Sequence, residues 1–311
     1  MSTTTTTLPA ARDASVVKLS HPTRWITAAV LLVLAAMMAN ALVTNQRFGW
    51  SQVGHYFFSS QILGGLKRTL FLTAVAMIIG VVLGTILAVM RMSENPVART
   101  TAGLYIWFFR GTPLLVQLIF WYNLSALYPR LSVGIPFGPE FAGFTTNEIL
   151  TVWLAAILGL GLNEAAYMCE IIRAGLLSVD QGQRSAALAL GMRESLLFRR
   201  VVWPQSLRVI VPPVGNQVIG MLKFTSLVSV IALPELLYSA QLIYQQNFQT
   251  IPLLMVACIW YLLVTSVLSV AQHYIERHYG RGTNLNTGPS MAANLLAALR
   301  ARARQAGDGV S

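Results

Sequence analysis

The 311 residues are 55% hydrophobic and only 11% charged, with 22 Lys and Arg against 11 Asp and Glu for a net charge of +11. A soluble domain carries about twice that charged fraction, so the composition argues against a water-soluble protein. The basic residues cluster between apolar runs, as membrane topology signals do, rather than forming the basic face of a nucleic-acid binder.

Residues 1–24 are polar and Thr-rich and are expected to form a disordered cytoplasmic tail. The first apolar run, Trp25 to Val43, has the length of about 20 residues that a helix needs to span a hydrocarbon core of about 30 Å. Ala39-Asn40-Ala41 resembles a signal-peptidase site, but the region before the run is longer than that of a secretory signal. An uncleaved extra span with an external loop, 25–61, is the expectation. A second span is expected from Leu70 to Met90, containing Gly80-x-x-x-Gly84, a spacing that lets helices approach closely. The third is expected from Leu104 to Leu124 and the fourth from Ile149 to Leu177. The fifth begins near Val209 and is interrupted around Lys223 to Ser226. An apolar piece, Leu227 to Leu237, then runs into the polar YSAQLIYQQNFQT, and a last span covers Ile251 to Ala271. The fold class is therefore an all-α polytopic membrane protein of about six transmembrane helices.

With a cytoplasmic N-terminus, the inside segments 1–24, 91–103, 173–208 and 272–311 hold 3, 2, 6 and 5 basic residues. The outside segments hold only Arg47, Lys67, Arg68 and Arg130. This bias fits the positive-inside rule and puts both termini in the cytoplasm, including a basic tail at 283–311.

The inside loop from Arg173 to Arg208 is long for a helix connection. It contains a helix-forming stretch in which Ala and Leu have high propensity and Ser185 is expected as N-cap. Gly191 is expected to end or bend that helix, and Pro204 to break the chain before the fifth span. Two readings fit: an amphipathic helix lying on membrane lipid, or a knob that docks into a partner.

Ala186-Ala187, three residues, Gly191, nine residues, Val201, one residue and Trp203-Pro204 follow in fixed spacing. This resembles the Glu-Ala-Ala loop of ABC importer permeases, with Ser185 where the family has Glu and Trp203 where it has Leu. Glu164-Ala165-Ala166 lacks a Gly at the required offset and lies in a span. FRGTPLLVQ (109–117), AYMCEIIRAG (166–175) and KFTSL (223–227) are similar to the branch that takes up polar amino acids of the histidine, glutamine, arginine and glutamate type.

The resemblance covers about 62–282 and implies a five-helix type I permease core of a prokaryotic inner membrane. It also implies a coupling element, Gly182, Gln183, Arg184, Ser185, Ala186, Ala187, Leu188, Ala189, Leu190 and Gly191 with Val201 and Pro204, that docks on a cytoplasmic ATPase dimer. Arg184, Arg193 and Arg199 are positioned to pair with acidic groups on its rim. A second permease, identical or paralogous, and a soluble or tethered amino-acid-binding protein are the other implied partners.

The chain has no G-x-x-x-x-G-K-[ST] phosphate loop, so ATP and Mg would belong to the ATPase and no cofactor to this chain. No metal-ligand spacing is present, since His273 and His278 are five apart, and no catalytic residues are expected.

Ionisable groups in spans are costly and are default candidates for a solute path. Arg110, Gly111, Thr112 and Pro113 combine a charge with a helix break that exposes backbone dipoles; Arg110 alternatively snorkels to headgroups. Glu164 either faces a cationic solute or is a buried hydrogen-bonded carboxylate. Glu170 and Arg173, three apart, share a face and either pair or line the path. Lys223, Thr225 and Ser226 either hold an α-carboxylate or, for the hydroxyls, satisfy freed backbone. An ion-gradient-driven secondary transporter and a non-transporting scaffold are the competing classes.

Overall fold

The structure, a computed structural model, describes residues 22–134 and 140–279. The expected N-terminal tail up to residue 21 and the basic tail at 283–311 lie outside the described residues. The chain divides into a unit ending at Trp50 and one beginning at Ser51.

In the first unit, α1 (Pro22–Thr44) is predominantly apolar from Trp25 on, and that stretch is long enough to span a membrane. A 3-10 turn, Gln46–Phe48, follows it, with Asn45 as N-cap and Gly49 closing it at φ 58.

Among the described residues, the second unit is helical apart from one hairpin. After α2 (Trp50–Phe57), α3 (Ser60–Met92) starts at Ser59, whose side chain accepts from Ile62 N. Its 33 residues rise about 50 Å. The span is therefore longer than the expected 70–90, and Lys67 and Arg68 lie within the helix rather than in a loop before it. Asn95 caps α4 (Pro96–Gly111), with Pro96 in the first turn, where its missing N–H costs nothing. α5 (Leu114–Tyr122) follows at an angle of 100° to α4. The expected single span at 104–124 is thus corrected to a bent pair, because Pro113 cannot donate and Gly111 carries no Cβ to resist the turn.

A short α6 (Leu124–Leu127) leads to an antiparallel hairpin of β1 (Arg130–Gly134) and β2 (Glu140–Thr145), then α7 (Thr146–Ile149). Thr151 caps α8 (Val152–Leu177). The next elements are α9 (Gln181–Ala189), α10 (Glu194–Leu197), a π turn (Phe198–Val202) and α11 (Trp203–Phe224). A 3-10 segment (Thr225–Ile231), α12 (Leu236–Asn247) and α13 (Thr250–Tyr279) complete the unit.

The residues from Glu194 to Ile231 form one 38-residue helical run, which corrects two expectations. Pro204 does not break the chain, because it directly follows the π turn Phe198–Val202, where the regular i→i−4 ladder is already interrupted and a missing N–H is tolerated. The interruption at Lys223 to Ser226 is a change from α to 3-10 winding, not a loss of helix.

Helix α8 is the centre of the bundle. Gly80 and Gly84 of α3 meet α8 so closely that a Cβ on Gly84 would sit 2.5 Å from Met168 Cβ and 3.0 Å from Ala165 O. These contacts, with Ile79 on Gly161, run in the same order along both helices, so α3 and α8 are parallel. Gly175 meets Ile210 and Ser206 O of α11, which runs antiparallel to α8. Gly215 of α11 in turn meets Gln272 of α13. Small residues at each crossing replace the hydrophobic driving force that lipid removes.

Candidate coupling segment and solute path

The segment that follows α8 is built by local rules. Asp180, not Ser185, is the N-cap of α9, its carboxylate accepting from Gly182 N at 2.7 Å. Ser185 lies inside the helix, so the expected cap is corrected: Asp180, as good a cap as Ser and five residues upstream, starts the helix earlier by accepting from Gly182 N. At the other end Gly191 has φ 76, Gly191 N donates to Leu188 O at 2.9 Å, and Met192 N donates to Ala187 O at 3.1 Å. This pair of bonds is a Schellman termination, and Met192 packs on Ala187 as that motif favours.

A small core of Val179, Ala187, Leu197 and Val202, with Val201 and Leu176 at its edge, fixes α9 on the foot of α8 and on the π turn. Ala187 therefore faces inward. Gly182, Gln183, Ser185, Ala186, Leu188, Ala189 and Leu190 are exposed, Arg184 is half-buried, and Leu190 is 82% exposed. Pro204 is exposed in the run that continues into α11.

The bend between α4 and α5 frees carbonyls, and three side chains take them up. Gln117 Nε2 donates to Phe109 O at 3.0 Å, Thr112 O at 3.1 Å and Thr112 Oγ1 at 2.7 Å. Asn163 Nδ2 of α8 donates to Phe109 O at 2.9 Å and to Gln117 Oε1 at 3.2 Å. Thr112 Oγ1 returns to Phe108 O at 2.8 Å. In this conformation the break is closed by the chain itself. Arg110, in the last turn of α4, is exposed and lies 5.2 Å from the Tyr167 ring centroid. Gly111 has open space around it.

Glu164 is 3% exposed, with Oε1 unpartnered among the described residues. Gly80 lies against its Cγ, and the Gln217 side chain of α11 is its polar neighbour. Glu170 and Arg173 pair at 2.7 Å on a half-exposed face of α8. Thr225 Oγ1 donates to Leu222 O and Ser226 Oγ to Lys223 O, both at 2.7 Å, so both hydroxyls satisfy backbone. Lys223 is exposed in the last turn of α11. The structure thus joins Thr112 to the α8 surface near Glu164, and leaves Lys223, Thr225 and Ser226 without a shared cradle.

The sequence reading did not single out two polar groups as working parts. One is the Gln117–Asn163 clasp, flagged only by polar residues standing in apolar runs. The other surrounds Glu235, the N-cap of α12. Its carboxylate accepts from Leu237 N, Tyr238 N, Tyr261 Oη at 2.8 Å and Thr69 Oγ1 at 3.3 Å, tying α12 to α3 and α13. Burial raises the Glu235 carboxyl above its ordinary value, against these bonds, which lower it.

Residues 80–281 match the family described as binding-protein-dependent transport system inner membrane component. The chain belongs to that family. It is 44% identical over 283 residues to the arginine transport system permease protein ArgU of Corynebacterium glutamicum, an alignment covering 90% of this chain and 86% of that one. It is 36% identical to the probable amino-acid permease protein YxeN of Bacillus subtilis, covering 70% and 90%. A crystal structure of an amino acid ABC transporter with histidines superposes with a TM-score of 0.60 at 36% identity, covering 70% of this chain and 94% of that one.

This membership makes the chain a multi-pass permease subunit of a bacterial inner-membrane ABC importer. It is a transport component and not an enzyme: ATP hydrolysis belongs to a partner polypeptide. A binding protein is the other partner that the family requires.

Proposed function

We propose that this permease imports a polar amino acid with a cationic side chain, delivered by a binding protein and moved inward by alternating access as a pair of ATPase subunits closes and reopens. The observation that carries the coupling role is the geometry of α9. It is a short helix fixed at its root and stopped by Gly191, and it offers Leu190 and small side chains to a partner. An apolar anchor on a segment that also carries Arg184, Arg193 and Arg199 suits a groove with an acidic rim. The basic clusters support a cytoplasmic position for this end and for both termini. The ATPase pair would hold the ATP and Mg, and a second permease would complete the path.

The arginine system of the 44% identical relative supports the substrate class. Glu164 supports it chemically, as a carboxylate inside the bundle with one oxygen unengaged, where an unpaired charge is costly and a cationic solute would relieve it. Thr112, Pro113 and Arg110 at the bend, and Glu170 with Arg173, flank that side of α8. Residues 62–282 form the proposed permease core, with 25–61 an addition to it.

The test is ATP-dependent uptake of radiolabelled arginine by proteoliposomes holding the complex and its binding protein. Competition by lysine and ornithine, and none by glutamate, is expected. Uptake by this chain alone, driven by an ion gradient, overturns the ATP-coupled reading; competition by glutamate alone overturns the cationic class.

A further inference from the structure

The turn between α12 and α13 combines backbone strain with an apolar side chain left exposed. Phe248 closes α12 in the left-handed region, φ 58 and ψ 16, and its N–H donates to Tyr244 O at 2.8 Å. Glycine occupies that position without steric conflict, and a bulky residue there is an outlier. The Phe248 ring is nevertheless 88% exposed, so packing inside this chain does not offset the strain. Strain of this kind persists where a residue serves a use outside its own fold.

The surroundings of the turn are ordered and neutral. Asn247 Nδ2 donates to Tyr56 Oη at 3.1 Å, and Gln249 N donates to Asn247 Oδ1 at 2.9 Å, which holds the turn against α2. Beside it opens a cavity of about 260 Å³ lined by Tyr56, Ser59, Gln61, Gln246 and Asn247, with no charged residue in its lining. Phe58, 70% exposed, stands on the α2–α3 turn at the same end. Trp260 of α13 fixes that placement, donating from Nε1 to Phe57 O at 2.9 Å.

This end is remote from α9. Phe57, the start of α3 and the start of α13 lie together, α8 runs parallel to α3, and α9 follows the far end of α8. The turn is thus on the face opposite the coupling segment.

We propose that Phe248 anchors the solute-binding protein on the outer face of the permease. The neutral cavity beside it receives hydrogen-bonding groups of that protein. This inference rests on the reading of α9 as the cytoplasmic coupling end. The family requires a binding protein, and with α9 given to the ATPase, the opposite face is the one left to receive it. An exposed aromatic at a rigid site beside a polar cleft has the anatomy of an interface anchor.

The test uses the whole complex in lipid nanodiscs, titrated with the solute-binding protein that stimulates the wild-type ATPase. Phe248→Gly removes the ring and relaxes the backbone. We expect the half-saturating concentration of binding protein to rise at least tenfold, with basal ATPase activity unchanged. Phe248→Asn, which also accepts a left-handed backbone, is read the same way should the glycine variant fail to assemble. In native membranes, p-benzoylphenylalanine in place of Phe248 should photo-cross-link to the binding protein. An unchanged half-saturating concentration, or adducts only with lipid or with the second permease, overturns the inference. A wild-type complex that no binding protein stimulates would instead overturn the proposed function.

Discussion

Gly80 of α3 rests directly on Glu164 of α8: a Cβ at Gly80 would lie 2.6 Å from Glu164 Cγ. One turn later a Cβ at Gly84 would lie 3.0 Å from both Ala165 O and Cys169 N. The two glycines thus meet different obstacles, a side chain that can rotate and a backbone that cannot. Overpacking a tight interface costs about 1–3 kcal/mol, and Gly84→Ala should fall at the upper end of that range with Gly80→Ala below it. Thermal unfolding of the purified permease in one detergent compares them; a larger loss for Gly80→Ala would contradict this account of the helix contact.

The bend between α4 and α5 is held by side-chain donors, so it should fail when they are removed. Gln117→Leu leaves Thr112 O without its side-chain donor, and an unsatisfied buried polar group costs about 1–3 kcal/mol. Asn163→Leu should cost less, since Gln117 Nε2 still donates to Phe109 O. Gln117→Glu should cost at least as much as Gln117→Leu, because a carboxylate donates nothing and would place a buried charge against the Phe109 and Thr112 carbonyls. Unfolding midpoints and arginine uptake for the three variants check the order; equal losses for Gln117→Leu and Asn163→Leu would mean that the clasp does not work as described.

Much of this arrangement is visible in the residues. Apolar runs of spanning length and Gly111-Thr112-Pro113 as a break each reflect a local rule that tertiary structure left in force. What was not visible is which of several available partners, near or distant in sequence, a polar group takes. Ser185 is a good cap in isolation, but Asp180 caps the helix five residues earlier, its carboxylate accepting from Gly182 N. Thr225 and Ser226 are equally suited to a ligand or to freed backbone, and only the structure shows their hydroxyls on carbonyls three residues back. Gln117 and Asn163 stand 46 residues apart, and nothing in either run announces that they share Phe109 O.

The Glu235 cluster predicts a coupling energy. Tyr261 Oη donates to the carboxylate at 2.8 Å and Thr69 Oγ1 at 3.3 Å. Tyr261→Phe should destabilise by about 1.5–3 kcal/mol, the range for hydrogen bonds to charged groups. Thr69→Val should cost more than that longer bond alone, because Thr69 Oγ1 also accepts from Leu236 N at 3.1 Å. In a double-mutant cycle with Glu235→Ala, which removes the acceptor, Tyr261→Phe should lose most of its effect. Additive losses would show that Tyr261 stabilises the fold by packing instead.

Gly191 separates stability from coupling. Its φ of 76 suits glycine, and nothing lies within 4 Å of where a Cβ would point. Gly191→Asn should be nearly neutral, since Asn tolerates this region, whereas Gly191→Ala should cost about 1–2 kcal/mol from backbone strain alone. Gly191→Arg adds a long cation next to Leu190, on the surface assigned to the ATPase. It should insert and fold about as well as Gly191→Ala, yet hydrolyse ATP without moving solute. Measured in the same proteoliposomes, the ratio of arginine transported to ATP hydrolysed should fall at least tenfold for Gly191→Arg and stay near wild type for Gly191→Asn. A normal ratio for Gly191→Arg would remove α9 from the coupling joint, whatever the stability measurements gave.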